Sequence, residues 1–422
     1  MSNKRIFYAS QSVHLQPVST GTNGNFRDLS NFQAYGSGTK WILPRGLQSA
    51  GISTTFNSTP VSQLGTLQIY SQTETVPQVE VTLNKVLDGT APLYSICTAK
   101  ANNTDTLVTK NKNLSEITDN MVNVRFAVFS DTNSYATGSA SSYTYCRNMY
   151  LSRVSYSFPV EGSATEEVTL VGTHKAWGSS LTVPNNASGL LTDDNATPQG
   201  SGSDFVATRQ YLALTGIGGT AYTYPTRDSN GKITSFGSLV TASILPTGAN
   251  GNTKGAIPLN TGTAVSGYNP LSIPTLQNIT ISLDLGRENI NELGFFGPYF
   301  KYTTFPIEAT SEFQVISTSG DLVNADSFDQ TTGCSASYAN VEDQEIAIKV
   351  CGPESSDDYL IIDLGKKNKL TSVNYTGGDT GGGNATVTYS FQTFNKFNVT
   401  TNGSYADYKY FDSSTIGVQS LS

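Results

Sequence analysis

The chain has 422 residues, of which 37% are hydrophobic, 14% charged and 10% aromatic. It is too apolar to be disordered, and at about 100 to 200 residues per domain it should hold two or three domains. A formal net charge of −8, from 25 Lys+Arg against 33 Asp+Glu, excludes a general basic surface for gripping a phosphate backbone.

The 53 Thr, 49 Ser and 33 Asn, beside 39 Gly and 22 Tyr, favour strands and turns over helices. β-Branched and aromatic side chains suit a pleated surface, while Gly, Asn and Ser make turns. The composition therefore predicts an all-β protein. No CxxC pair occurs among Cys97, Cys146, Cys334 and Cys351, and His14 and His174 are the only histidines, which leaves little for a zinc cluster. Cys334 and Cys351 could close a short loop as a disulfide, although sparse cysteines are more often free and buried.

Residues 1–44 read as an N-terminal arm. Lys4 and Arg5 are followed by an apolar run too short for a signal peptide, and no stretch approaches a membrane helix, so the chain is expected to carry no membrane anchor. From 45 to 175, alternation at a two-residue period marks strands around Val79, Val81 and Leu83, around Val124, Phe126 and Val128, and around Val154, Tyr156 and Phe158. A short helix is predicted near Lys112 to Asp119, with Asn113 as its cap, and another near Arg287 to Leu293. Residues 176–271 form a Gly/Ser/Thr-rich insertion with a hairpin about Asn230-Gly231. Alternation returns from 272 to 395 at Ile279, Ile281, Leu283 and Leu285, at Ile346, Ile348 and Val350, and at Val387, Tyr389 and Phe391, and residues 396–422 form a C-terminal arm.

The two strand-rich regions are related. At a constant offset of 229, residues 47–77 match residues 276–306 with nine identities in 31 positions, among them Leu64-Gly65 with Leu293-Gly294, Tyr70 with Tyr299 and Pro77 with Pro306. Chance would give about two or three, so an internal duplication is favoured. With small gaps, Glu80-Val81-Thr82 falls beside Glu308-Ala309-Thr310, the segment from Leu151 to Tyr156 beside that from Leu370 to Tyr375, and Ala164-Thr165 beside Ala385-Thr386. Two tandem β-sandwich or barrel domains follow, each with at most a short helix, plus a β-rich insertion.

Catalytic signals are weak. No Gly-x-Ser-x-Gly elbow is present, and the histidines lack a supporting context. Glu166-Glu167, Asp193-Asp194 and Asp357-Asp358 are adjacent residues that on a strand point to opposite faces, and they read as solvated loop or edge charges. Gly377 to Gly383 is Gly-rich but lacks a Lys-Ser/Thr end, and it reads as a hairpin tip. The aromatic run from Phe295 to Tyr302 could form a carbohydrate platform, but its counterpart in the first copy favours a packing or contact role. No enzymatic activity and no cofactor are expected.

The run from Ile281 to Leu285, followed by that from Glu292 to Pro306 and by its copy at Leu47 to Leu83, resembles the tube domain of bacteriophage tail tube proteins, here occurring twice over roughly 250 residues. That resemblance implies a structural virion protein, made in the host cytoplasm, whose rings stack into a tail tube and contact other tail proteins. The rings would be hexameric, or trimeric and pseudo-hexameric, and DNA would pass their lumen without specific binding. Leu64, Gly65, Tyr70 and Pro77, with Leu293, Gly294, Tyr299 and Pro306, become candidates for a hairpin that lines the tube or bridges rings. Another virion component (decoration, neck or baseplate), a carbohydrate-binding β adhesin and a β-type glycoside hydrolase are the alternatives.

Overall fold

The computed structural model describes residues 11–18, 40–99, 111–114, 120–130, 139–182, 206–209, 212–215, 226–227, 233–235, 275–294, 297–298, 300–317, 346–352, 359–365, 367–378, 383–402 and 410–412. The N-terminal half runs β1 Gln11–Val18, β2 Lys40–Ile42, β3 Leu47–Thr55, β4 Ser58–Ser62, β5 Ile69–Glu74, β6 Gln78–Val86, α1 Leu93–Cys97, β7 Asn111–Asn113, β8 Met121–Val128, β9 Ser139–Pro159, β10 Thr165–Gly172 and β11 His174–Thr182. Next come β12 Leu212–Thr215, β13 Thr226–Arg227 and β14 Ile233–Ser235. The C-terminal half continues with β15 Thr275–Asp284, β16 Arg287–Ile290, β17 Phe300–Thr303, β18 Glu308–Ile316, β19 Ala347–Cys351, β20 Tyr359–Asp363, β21 Lys369–Thr376, β22 Thr386–Phe394, β23 Asn398–Asn402 and β24 Tyr410–Asp412. The all-β class is as the composition indicates.

Four strands of each half pair identically. In the first, β3 pairs β6, β6 pairs β10 and β10 pairs β9; in the second, β15 pairs β18, β18 pairs β22 and β22 pairs β21. The irregularities coincide too. Gln48 is skipped in the β3·β6 ladder and Gln277 in β15·β18; Ser152 is skipped opposite β10 and Thr371 opposite β22. A bulge adds one unpaired residue and twists its strand, so bulges at matching places give both copies the same curvature. They also equate Leu151 to Tyr156 with Leu370 to Tyr375, and Thr165 with Thr386, as the sequence alignment has them. The ladders correct one pairing of that alignment: Ser53 pairs Glu80 and Ser282 pairs Thr310, so Glu80 corresponds to Thr310 and not to Glu308.

The copies join edge to edge. The C-terminal part of β9 pairs β10 on one side and β15 on the other, from Asp284·Arg153 to Asn278·Pro159. Eight strands therefore run continuously in the order β3-β6-β10-β9-β15-β18-β22-β21 within a 13-stranded sheet. One face of these strands lies in the core: Val81, Leu83, Val168, Leu170, Tyr156, Ile281, Phe313, Tyr389 and Phe391 are at most 1% exposed. The opposite face is polar.

A second layer covers the apolar face. Over the first copy, β1, β8, the N-terminal part of β9 and β11 pair in turn; over the second, the order is β12-β19-β20-β23-β7. The 21-residue β9 serves both layers and turns between them at Asn148, whose φ is +49°. There the Asn148 N–H donates to Asn123 Oδ1 at 2.9 Å, replacing a ladder bond that the corner removes.

Several expected segments fall elsewhere. Residues 11–18, expected within an arm, form β1, which pairs β8 along its length and buries Leu15 completely. Residues 398–402 form β23, paired to β20 and β7, and β24 returns to pair β2. β11 runs on from the first copy past residue 175, and β12, from the insertion, adds a strand beside β19. Of the stretch expected to be helical near Lys112, Asn111–Asn113 are β7, Leu114 is helical and residues 115–119 lie outside the described residues; Arg287–Ile290 is strand β16, not helix. The described helix, α1, has all five residues buried and no capping side chain of its own. β13 and β14 bracket Asn230-Gly231, which themselves lie outside the described residues.

Candidate assembly interface

Each copy extends its first two sheet strands into a projecting hairpin. β4 pairs β5 between β3 and β6, and β16 pairs β17 between β15 and β18. Leu64 and Leu67 at the first tip are 102% and 107% exposed, Ile69 61% and Tyr70 71%; Leu293 at the second tip is 98% exposed. Gly65 and Gly294 take φ of +89° and +87°, with open space where a side chain would project, the left-handed turn that glycine adopts without steric cost. Both candidate Leu-Gly pairs thus form the same corner. Pro77 is half-buried and Pro306 exposed at the hairpin bases, while Tyr299 lies outside the described residues. Asn57, Thr75 and Pro77 from the first hairpin face Asn289, Asn291 and Lys301 from the second across a cleft of about 240 Å³, so the hairpins stand side by side.

Of the described aromatics in the run from Phe295 to Tyr302, Phe300 is packed and Tyr302 is 45% exposed. Phe300 is 8% exposed and meets the Tyr150 ring edge at 5.6 Å, while Arg287 lies 5.2 Å over the same ring. Residues 295 and 296 lie outside the described residues. A continuous flat platform for sugars is therefore not formed by Phe300.

Exposed leucines at a turn contribute nothing to a core. We expect Leu64→Ser, Leu67→Ser and Leu293→Ser together to leave the denaturation midpoint of the isolated chain nearly unchanged, within about 0.5 kcal/mol. Light scattering at rising concentration should show the triple variant associating less than the parent; equal association would exclude the tips from contact.

The second component is the pair of open sheet edges. Among the described residues, β3 pairs only β6 and β21 pairs only β22. Ile52 and Val373 on these edges are only partly buried, and Tyr375 is 51% exposed. Unpaired edge N–H and C=O groups are templates for another strand. Gly377 to Gly383 connects β21 to β22, as a hairpin requires, with residues 379–382 outside the described set.

The polar face of the eight strands is the third component. Alternation places Ser53, Glu80, Thr82, Glu167, Thr169, Arg153, Ser155, Thr280, Ser282, Asp284, Glu308, Thr310, Glu312, Gln314, Thr388, Ser390, Gln392, Asn374 and Lys369 on it. Carboxylates outnumber cations there, and the remainder are neutral hydroxyls and amides. Such a face is wettable and repels phosphates.

The ionisable groups in the core hold structure together. Glu166, expected to be a solvated charge, is instead fully buried, while Glu167 on the other face is exposed. Its carboxylate accepts hydrogen bonds from the Leu93 and Tyr94 N–H groups at 2.5 and 2.9 Å and from the Tyr156 hydroxyl at 2.8 Å, so it caps α1 from across the sheet. Burial raises its pKa above the ordinary 4.5, against the opposing pull of those donors and of Lys85. Lys85, its cross-strand partner on β6, donates to Asp88 and Thr90. His14 is buried on β1 beside Arg125, and burial together with that charge lowers its pKa, which keeps it neutral. His174 opens β11, with its pKa lowered by burial and Arg147.

Among the described residues no group of His, Cys, Asp and Glu could hold a metal ion, and no helix is long and apolar enough to cross a membrane. Cys97 and Cys146 are free and buried; Cys334 lies outside the described residues, so its pairing with Cys351 does too. Asp193-Asp194 and Asp357-Asp358 also lie outside them. No family model matches the chain and no curated protein matches it.

Proposed function

We propose that the chain is a self-assembling structural subunit whose copies close into rings and stack into a tube, a virion conduit of the tail-tube type. The observation that carries this reading is the internal seam β9·β15, which joins two equivalent four-stranded units edge to edge and leaves the equivalent edges, β3 and β21, open at the two ends. A repeat that joins head to tail once can do so again, and heterologous contacts of this kind close into rings when the rotation per unit divides a full turn. Barrel closure removes the exposed edges that would otherwise aggregate.

Each part then has a role. The polar, mostly acidic face of the eight strands lines the bore, where DNA slides past without being held. The Leu-Gly hairpin tips project from the sheet and contact the neighbouring ring or another tail protein. The second layer lies on the outside. No step of this function needs a cofactor or a catalytic group. With two equivalent units per chain, a trimer supplies six units.

Negative-stain electron microscopy of the purified chain at rising concentration, with mass measured in parallel, tests the reading. Rings or hollow tubes, with a ring mass that is a small multiple of the 45.0 kDa chain, are the expected result. A monomer at every concentration would overturn it, and glycan binding by that monomer would favour the adhesin alternative.

A further inference from the structure

The internal seam is a template for the contact between chains. We infer that β21 of one chain pairs antiparallel with β3 of a second copy in the same register that joins β9 to β15, with Ile52 against Tyr375 as its apolar anchor. This rests on the ring reading and adds to it the interface, residue by residue.

The register follows from two independent equivalences. Ladder and bulge positions equate β3 with β15 at an offset of 229, since Gln48 and Gln277 are the skipped residues. They equate β9 with β21 at an offset of 219, since Ser152 and Thr371 are skipped. In the internal seam Ile281 lies opposite Tyr156, Ser282 opposite Ser155 and Leu283 opposite Val154. Carried across, Ile52 lies opposite Tyr375, Ser53 opposite Asn374 and Thr54 opposite Val373.

The chemistry repeats where it matters. Ile281 and Tyr156 are both 0% exposed within the seam, and the two open edges present the same residue types, Ile52 and Tyr375, with Tyr375 at 51% exposure. Each is the core-facing residue of its edge strand, so pairing would bury it as its counterpart is buried. The flanking positions are lighter: Ala50 stands where the internal seam has Ile279, Thr54 where it has Leu283, and Gly377 where it has Phe158. Cross-strand side-chain pairs are the unit of sheet stabilisation, so the contact between chains is the weaker copy of the internal one. A lone encounter at one seam is short-lived, and closure of the ring, in which every seam forms together, makes the assembly persist.

Cysteine pairs read the register directly. Ser53→Cys with Asn374→Cys, and Thr54→Cys with Val373→Cys, are neighbouring cross-strand pairs, one of which is the non-hydrogen-bonded kind that brings side chains closest. Ser49→Cys with Asn374→Cys is the off-register control, displaced by four residues or roughly 13 Å. Mild oxidation of assembled protein should link copies covalently in at least one matched pair, at several times the yield of the control and of the parent chain. Rings by microscopy with no matched pair linking would overturn this register while leaving the ring reading intact. A control that links as well as the matched pairs would also overturn the register. Monomers throughout, with no linkage, would overturn both, and near-parental circular dichroism will show that the variants fold.

Discussion

Replacing Glu166 with valine will cost the fold about 3–5 kcal/mol, the usual penalty for removing one member of a buried charged set. The change strands the N–H groups of Leu93 and Tyr94 and the hydroxyl of Tyr156, and it leaves Lys85 buried with less opposing charge. Lys85→Val should cost a similar amount, because it leaves the Glu166 and Asp88 carboxylates without their ammonium. The second copy shows what the position otherwise holds: the Glu166·Lys85 cross-strand pair corresponds to Val387·Val315. The double variant Glu166→Val with Lys85→Val should therefore lose less than the two singles summed, with a coupling of at least about 1 kcal/mol from denaturant unfolding. Strict additivity would mean that the two groups do not act together.

The pH dependence follows from the two carboxylates. Burial raises Glu166, so its contribution to stability is present below its ordinary value of 4.5 and is lost as pH rises through its folded value. Burial also pushes Asp88 upward, but the Lys85 charge and the hydrogen bonds from Lys85 and Thr90 outweigh it and hold Asp88 below its ordinary 3.8. Asp88 thus adds stability above that value, which disappears as pH falls through its folded pKa. Melting temperatures of Glu166→Gln should show a flatter decline above pH 4.5 than those of the parent chain.

The second large effect separates the internal seam from the open edges. Ile281→Asp places a carboxylate at a site with 0% exposure, opposite Tyr156, and should cost more than about 4 kcal/mol, enough to prevent folding or leave little folded chain. Ile52→Asp alters the equivalent position on an edge that is only partly buried. The isolated chain should lose no more than about 1–2 kcal/mol, yet the concentration needed for ring formation should rise at least about tenfold. Thermal melting and sedimentation measured on both variants distinguish these outcomes. If Ile52→Asp assembled like its parent, β3 would not be a contact strand.

Much of the sheet is legible in the sequence because two-residue alternation reports which face of a strand is buried, and Val79, Val81 and Leu83 alternate as β6 does. The duplication is legible because the Leu-Gly corners and the β3 and β15 strands keep one spacing. The same periodicity explains the misplaced gap. Glu80 set beside Glu308 or beside Thr310 keeps every side chain on the same face, so alternation cannot choose between alignments two residues apart, and only the ladder does. The burial of Glu166 is unreadable because two of its three donors, the N–H groups of Leu93 and Tyr94, lie on α1 more than seventy residues away. α1 itself is buried on all sides, so it carries no amphipathic stripe, and Pro92 precedes it where a capping side chain would otherwise signal. The arms conceal their strands for another reason: the segment from Gln11 to Val18 has a core strand's pattern only when its partner β8 is known. The candidate hairpin residues stand out from identity alone, whereas the open edges become visible only when the internal seam supplies their paired form.

The exchange of strands between halves has its own consequence. β7 comes from the first half and lies beside β23 of the second, β24 comes from the end of the chain and lies beside β2 of the first, and the seam β9·β15 runs between them. Among the described residues, strand pairing clasps the halves at three places, so the covalent link between them is not what holds them in position. A chain nicked between its two halves would hold its fold, and damage to one peptide bond there would not release either half.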